Sequence, residues 1–306
     1  MLSIVIEKID HLIRKSLIGR NLSRVRERAP GLYGTLRDVY SRLFRIDSSY
    51  GLARYQIRAV RRFLEFVPDT VIKNGMLEVG SDLDAKVIRE LHAIGCPRVV
   101  GVNPAFSSED LGRINPTLPS GCLLVRADMR DTGLPDESLG ALFSVSVFEH
   151  LLDFERCLAE MHRILVPGGV VYAEFGPIWS SGLGHHVFAN VDGVQARHWD
   201  PRLNPLDNFS HLLQTRDEMR KALTGRVSST RLGEAILNWV YEGQDINRLF
   251  FEDYCRLVEQ SAFELLHMDT DREHVSGETL ATLRKRYPEY RVFDVRNVEL
   301  LLRKPQ

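Results

Sequence analysis

Two histidines stand side by side at 185 and 186, in a stretch punctuated by Gly176, Gly182 and Gly184. Adjacent imidazoles on a loop serve as base, ligand or substrate clamp, and an ordinary pKa near ~6.5 suits proton removal around neutrality. Upstream, Glu149-His150 closes an apolar run at 141–147. His185, His186 and Glu149 are therefore the expected catalytic groups. Glu78-Val79-Gly80-Ser81-Asp82 ends another short apolar run, and a glycine there lets a ligand approach the backbone without a Cβ clash. Asp128-Met129 follows a third run at 122–125, pairing an acceptor with an apolar surface. Three residues before Glu149 stands Ser146, not a carboxylate. Hard cations prefer several oxygen ligands, so no resident metal is expected. Trp179, Phe188 and Trp199 are expected to pack the surrounding segment, and His198 and His211 carry no assignment.

These groups need elements to hold them. From residue 75, short apolar runs at 76–79, 98–102, 122–125, 141–147 and 170–175 alternate with helical patterns at 84–94 and 154–165. That alternation predicts a parallel sheet with helices on both faces. The helix at 154–165 is expected to stop at Val166-Pro167-Gly168-Gly169, where glycine offers a left-handed cap. After Pro177 the alternation lapses, and helical patterns at 215–223 and 232–241 predict a helical lid. It resumes with a helix at 251–261, strands at 264–268 and 298–303, and a helical insert at 278–290. Residues 1–72 read as helices at 2–17, 35–44 and 52–67, the last stopped by Pro68. The expected organisation is a helical segment (1–72), a first half of the core (73–177), a helical lid (178–249) and the rest of the core (250–306).

The ordered series Asp128-Met129, Leu134-Pro135-Asp136-Glu137-Ser138-Leu139, Phe148-Glu149-His150-Leu151 and the E-x-x-R-I-L-x-P-G-G run at 160–169 resembles the class I S-adenosylmethionine-dependent methyltransferases. The likeness is to their small-molecule, type 11-like branch. Glu252-Asp253-Tyr254, Ser261-Ala262-Phe263-Glu264 and the closing run at 299–305 agree, so the resemblance spans 74–177 and 250–305. It implies an α/β, doubly wound Rossmann-like sheet of seven strands. It implies S-adenosyl-L-methionine as cofactor, and methyl transfer to an O or N nucleophile of a small molecule such as a sugar or secondary metabolite. By the same resemblance, Glu78 and Gly80 border the methionine part of the cofactor, Asn103 faces the ribose, and Asp128 accepts from the adenine with Met129 on the ring. Ser144 and Ser146 lie beside the sulfonium. Two departures stand out: Ser81, Asp82 and Asp84 occupy a loop that is usually glycine-rich, and Asn103 replaces the usual carboxylate. A neutral acceptor gives ~1 kcal/mol where a charged one gives ~1.5–3. The departures leave a second reading open, a methyltransferase-like protein without methyl transfer.

Composition narrows the field. Hydrophobic residues make up 44% and charged residues 26%, which excludes a disordered chain or a collagen-like repeat. No apolar run approaches the ~20 residues of a membrane span. Residues 1–72 hold 14 Lys/Arg against 7 Asp/Glu, which leaves 26 against 34 for the rest of the chain. That basic head is expected to dock on the body or on a second copy as a homodimer, and it falls short of a dedicated nucleic-acid binder. The four cysteines match no zinc or redox spacing and are expected as reduced thiols in a cytoplasmic protein.

Overall fold

Strands with no polar face need cover on both sides. Met76–Val79 (β1) and Val99–Val102 (β2) are buried at every position, the pattern of central parallel strands. The computed structural model describes residues 50–306. Residues 55–306 form one compact unit, and of the residues before it only 50–54 are described. Cys122–Val125 (β3), Leu139–Val145 (β4) and Leu165–Phe175 (β5) continue the main sheet, whereas Phe188–Val191 (β6) and Val194–Arg197 (β7) pair only with each other. Glu264–Arg272 (β8) and Val295–Arg303 (β9) complete the sheet in the order β3-β2-β1-β4-β5-β9-β8. Its first five strands run parallel; β9 is antiparallel to both β5 and β8. Strand order reverses between β1 and β4. The crevice beyond their carboxyl ends is where such sheets take ligands.

The helices cover the two faces by their apolar stripes. In Arg54–Phe66 (α1), Phe63 is fully buried, its ring 5.5 Å from Phe143 and 6.0 Å from Tyr172. Lys86–Ala93 (α2) buries Val87, Ile88 and Leu91, and Ser108–Ile114 (α3) is capped by the Ser107 hydroxyl. In Phe154–Ile164 (α4), Phe154, Cys157, Leu158, Met161 and Ile164 recur at helical spacing and join the main core. Arg216–Leu223 (α5) starts with a capping box between Thr215 and Glu218, and Thr230–Tyr241 (α6) with the Ser229 hydroxyl. Phe251–Gln260 (α7) and Gly277–Arg286 (α8) flank β8.

Two expectations change. The run at 166–169 does not cap α4. That helix ends at Ile164, and β5 begins at Leu165. Gly168 N–H donates to Lys304 O at 3.0 Å and Lys304 N–H to Gly169 O at 2.8 Å, so the glycines extend the pairing with the chain end. The segment from 178 to 249 is also not purely helical. The β6–β7 hairpin turns at Asp192-Gly193, both at positive φ (52° and 83°), the backbone a two-residue hairpin turn demands. It packs with Met219, Leu232, Ile236 and Leu237 as a core of its own.

The helices expected at 2–17 and 35–44, and any dimer contact made by the basic head, lie outside the described residues. Cys96, Cys122, Cys157 and Cys255 are all free thiols. Among the described residues no helix is long and apolar enough to cross a membrane.

Candidate active site

The crevice floor is the turn after β1. Gly80 sits at φ +79°, and a Cβ there would lie 2.3 Å from the Val147 Cγ2, so the turn after β4 leans directly on this glycine. Glu78 is buried; the Ser81 hydroxyl donates to its Oε2 at 2.6 Å. Burial pushes the Glu78 carboxyl up to about 8, and the charges of Asp82 and Asp84 add to that rise. Asp82 is raised by burial and by Asp84. Tyr55 lies in the same negative field, which also includes Glu149.

Asn103 is committed to the loops around it. Its Nδ2 donates to Ser81 O at 3.0 Å, and its Oδ1 accepts from Ala105 N–H at 2.9 Å. Asp128 is half-buried and gripped by Arg130, with the Nε at 2.9 Å and the Nη2 at 2.8 Å. That guanidinium holds the Asp128 carboxyl below its usual range. Met129 belongs to the hydrophobic core. Ser144 is buried, its hydroxyl donating to Val79 O at 3.3 Å; Ser146 is exposed at φ +56°.

A second cluster forms where β4 and β5 end. A 3-10 turn at Phe148–His150 aims Glu149 inward, 1% exposed. Its Oε1 accepts from Gly176 N–H at 3.0 Å, and its Oε2 is buried with no hydrogen-bond partner. Burial pushes this carboxyl up to about 8. The loop after β5 brings His186 to it: the ligand-capable atoms of Glu149, His150 and His186 all lie within 4.8 Å of one another. His186 Nε2 contacts Pro177 O at 2.5 Å and His150 Nδ1 contacts Asp245 O. A carbonyl can only accept, so those nitrogens carry the protons and the opposite nitrogens carry lone pairs. His198 follows β7, its ring centroid 4.5 Å from that of His186 and its buried Nδ1 unpartnered.

The two adjacent histidines thus part company. His186 faces Glu149 and His150. The His185 ring lies 5.5 Å from that of His211, and its Nδ1 accepts from Val187 N–H at 3.1 Å. Burial holds both well below the ordinary histidine range. His211 Nε2 donates to Trp179 O at 2.8 Å while its Nδ1 is unpartnered. Trp179 is buried against His211 and under Arg248, a packing role as expected, whereas Phe188 and Trp199 stack on each other at the exposed edge. Sequence reasoning left His198 and His211 without a role. The Asp192-Gly193 turn signal was there to show the hairpin that returns His198 to the cluster.

Residues 77–173 match the family model of a methyltransferase domain. No curated protein matches. Among solved structures, an S-adenosylmethionine-dependent methyltransferase from Mesorhizobium loti is 16% identical, covering 82% of this chain and 98% of its own, with a TM-score of 0.48. Phosphoethanolamine N-methyltransferase 2 from Haemonchus contortus is 13% identical, covering 93% of this chain and 60% of its own, with a TM-score of 0.48. Over residues 77–173, which hold β2 to β4 and most of β1 and β5, the chain is thus similar to a methyltransferase domain. The cofactor that the sequence resemblance implies is S-adenosyl-L-methionine.

The residues present fit that cofactor unevenly. It bears positive charge at the sulfonium and the α-amino group, and the carboxylates of Glu78, Asp82 and Asp84 repel one another around the β1 turn where a cation would relieve them. At the end of β2 the fit is thinner, because both functional atoms of the Asn103 amide already hold backbone partners.

Proposed function

We propose that the chain methylates an oxygen or nitrogen nucleophile of a small molecule, a sugar or secondary metabolite, at the Glu149–His186 cluster. The observation that carries this reading is the buried Glu149 Oε2 with no partner, beside two imidazoles bearing lone pairs, at the ligand-binding end of the sheet. In this reading Glu78, Gly80 and Asp82 border the methionine end of the cofactor, Asp128 meets the adenine edge with Met129 beneath it, and Ser144 and Ser146 line the transfer point. Asn103 supports the site through its two loops. Glu149 and His186 hold the acceptor at the transfer point. The segment from 178 to 249 forms the lid over it, and cofactor and acceptor act without nucleic acid.

The test is incubation with methyl-labelled S-adenosylmethionine and a panel of hydroxylated and aminated small molecules. Transfer of label to one acceptor class is expected. A second reading, a methyltransferase-like protein that performs no transfer, is favoured by the committed Asn103 amide. Saturable S-adenosylhomocysteine binding with no label transferred to any acceptor would select it.

A further inference from the structure

We propose that Glu149, His150 and His186 form a binding site for one divalent transition-metal ion of the Zn²⁺ type, with His198 as a fourth donor at its edge. Their ligand atoms lie within 4.8 Å of one another, and the ligands of a tetrahedral ion at ~2.1 Å stand about 3.4 Å apart, so the set closes on an ion by drawing in about 1 Å. The imidazole orientations fit as well. His150 Nδ1 and His186 Nε2 each donate to a backbone carbonyl, of Asp245 and Pro177, which fixes the tautomer and presents a lone pair from the other nitrogen. Metal-binding histidines are oriented this way. Glu149 Oε2 and His198 Nδ1 are buried without partners, a cost that a cation would remove.

The donor set selects the ion. Two or three imidazoles and one carboxylate suit Zn²⁺, Co²⁺, Ni²⁺ or Fe²⁺, whereas Mg²⁺ and Ca²⁺ want oxygen. The other cluster of this kind among the described residues, His267, Asp269 and Glu299, differs in one respect. There the carboxylate of Glu299 is already paired with Arg62 at 3.0 Å and bonded by the Tyr172 hydroxyl at 2.8 Å. The Glu149 Oε2 has no such partner. His150 is exposed, so the site opens to solvent on one side and leaves a coordination position for a further ligand. That the position takes the acceptor's oxygen rests on the methyl-transfer reading; binding of the ion does not.

The experiment uses the full chain, stripped with EDTA and titrated with Co²⁺ alone, then with Zn²⁺ in competition. One Co²⁺ per chain is expected, with visible ligand-field bands that Zn²⁺ abolishes. Glu149→Gln and His186→Gln should each weaken Co²⁺ binding at least ~10-fold, while His211→Gln, on the far side of His185, should keep it. Circular dichroism and S-adenosylhomocysteine binding establish that each variant is folded. Absence of stoichiometric Co²⁺ binding by the wild type overturns the proposal, as does loss in folded His211→Gln equal to that in His186→Gln. Stoichiometric binding in a protein that methylates no acceptor would fail the proposed function and leave the metal site standing. Full methyl transfer by stripped protein that binds no Co²⁺ would do the reverse.

Discussion

The Gly176 N–H donates to the Glu149 Oε1 at 3.0 Å, so the turn after β4 and the loop after β5 are joined through a single carboxylate. One oxygen of that side chain is structural and the other is unpartnered and buried. Removing the whole side chain and exchanging the carboxyl for an amide should therefore have different consequences. Glu149→Gln retains an acceptor for Gly176 and should fold, while lowering turnover at least ~100-fold, the cost of a misplaced methyl acceptor. Glu149→Ala should in addition lose about 1–3 kcal/mol of stability, because a buried N–H is left without its acceptor. Chemical denaturation alongside label-transfer rates separates the two. Equal stability of the two variants would show that the Gly176 contact contributes nothing.

The split between the adjacent histidines gives a second prediction. His186 belongs to the Glu149 cluster, and His185 is turned toward His211 with its Nδ1 held by Val187. His186→Ala should lower turnover at least ~100-fold, with S-adenosylhomocysteine affinity unchanged. His185→Ala should act mainly on stability, by about 1–3 kcal/mol, through the lost backbone partner in the loop. Comparable turnover losses in both, at equal stability, would mean that the lid presents both rings to the acceptor.

How much of this was legible follows from the physics of each signal. The strands β1 and β3, and the ends of β5 and β9, were readable because buried parallel strands are short apolar runs bounded by breakers. The apolar stripe of α4 was readable because its period is 3.6 residues. Gly168 misled because the same Pro-Gly-Gly string serves either a helix end or a sheet edge, and the decisive partner, Lys304, lies at the other end of the chain. The candidate site was half legible. Glu149 and the histidine pair announce themselves by type, but which imidazole faces the carboxylate depends on one backbone turn, and His186 sits at φ +45°. His198 is brought in by the hairpin, whose Asp192-Gly193 turn is a local signal, and His211 by the turn of helix at Ser210–Leu213, which no local pattern encodes.

Asn103 supplies a third prediction. A carboxylate at this position would present an acceptor to Ser81 O, where the amide now donates at 3.0 Å. Asn103→Asp should therefore lose about 1 kcal/mol of stability and weaken S-adenosylhomocysteine binding through the displaced β1 turn. Calorimetric titration and thermal melts read both effects. Tighter binding by Asn103→Asp would show instead that the residue faces the ribose and that its loop contacts yield to the cofactor.

A fourth prediction concerns acid. Glu160 on α4 is buried and accepts from Arg163 Nε and Nη2, each at 2.7 Å, and from Thr132 N–H at 2.7 Å and its hydroxyl at 2.5 Å. These bonds, led by those from Arg163, lower its pKa to about 2. Unfolded, a glutamate titrates near ~4.3. The folded value is the lower one, so the unfolded chain binds the proton first. The stabilisation is complete above the unfolded value and drains away as pH falls from there through about 2. Glu160→Gln should cost about 2 kcal/mol near neutrality and flatten that part of the stability–pH curve. Thr132 lies four residues beyond Asp128, so the loosened loop should also weaken S-adenosylhomocysteine binding. Urea denaturation of wild type and Glu160→Gln at stepped pH gives the comparison, and parallel curves through the acid window would refute the assignment.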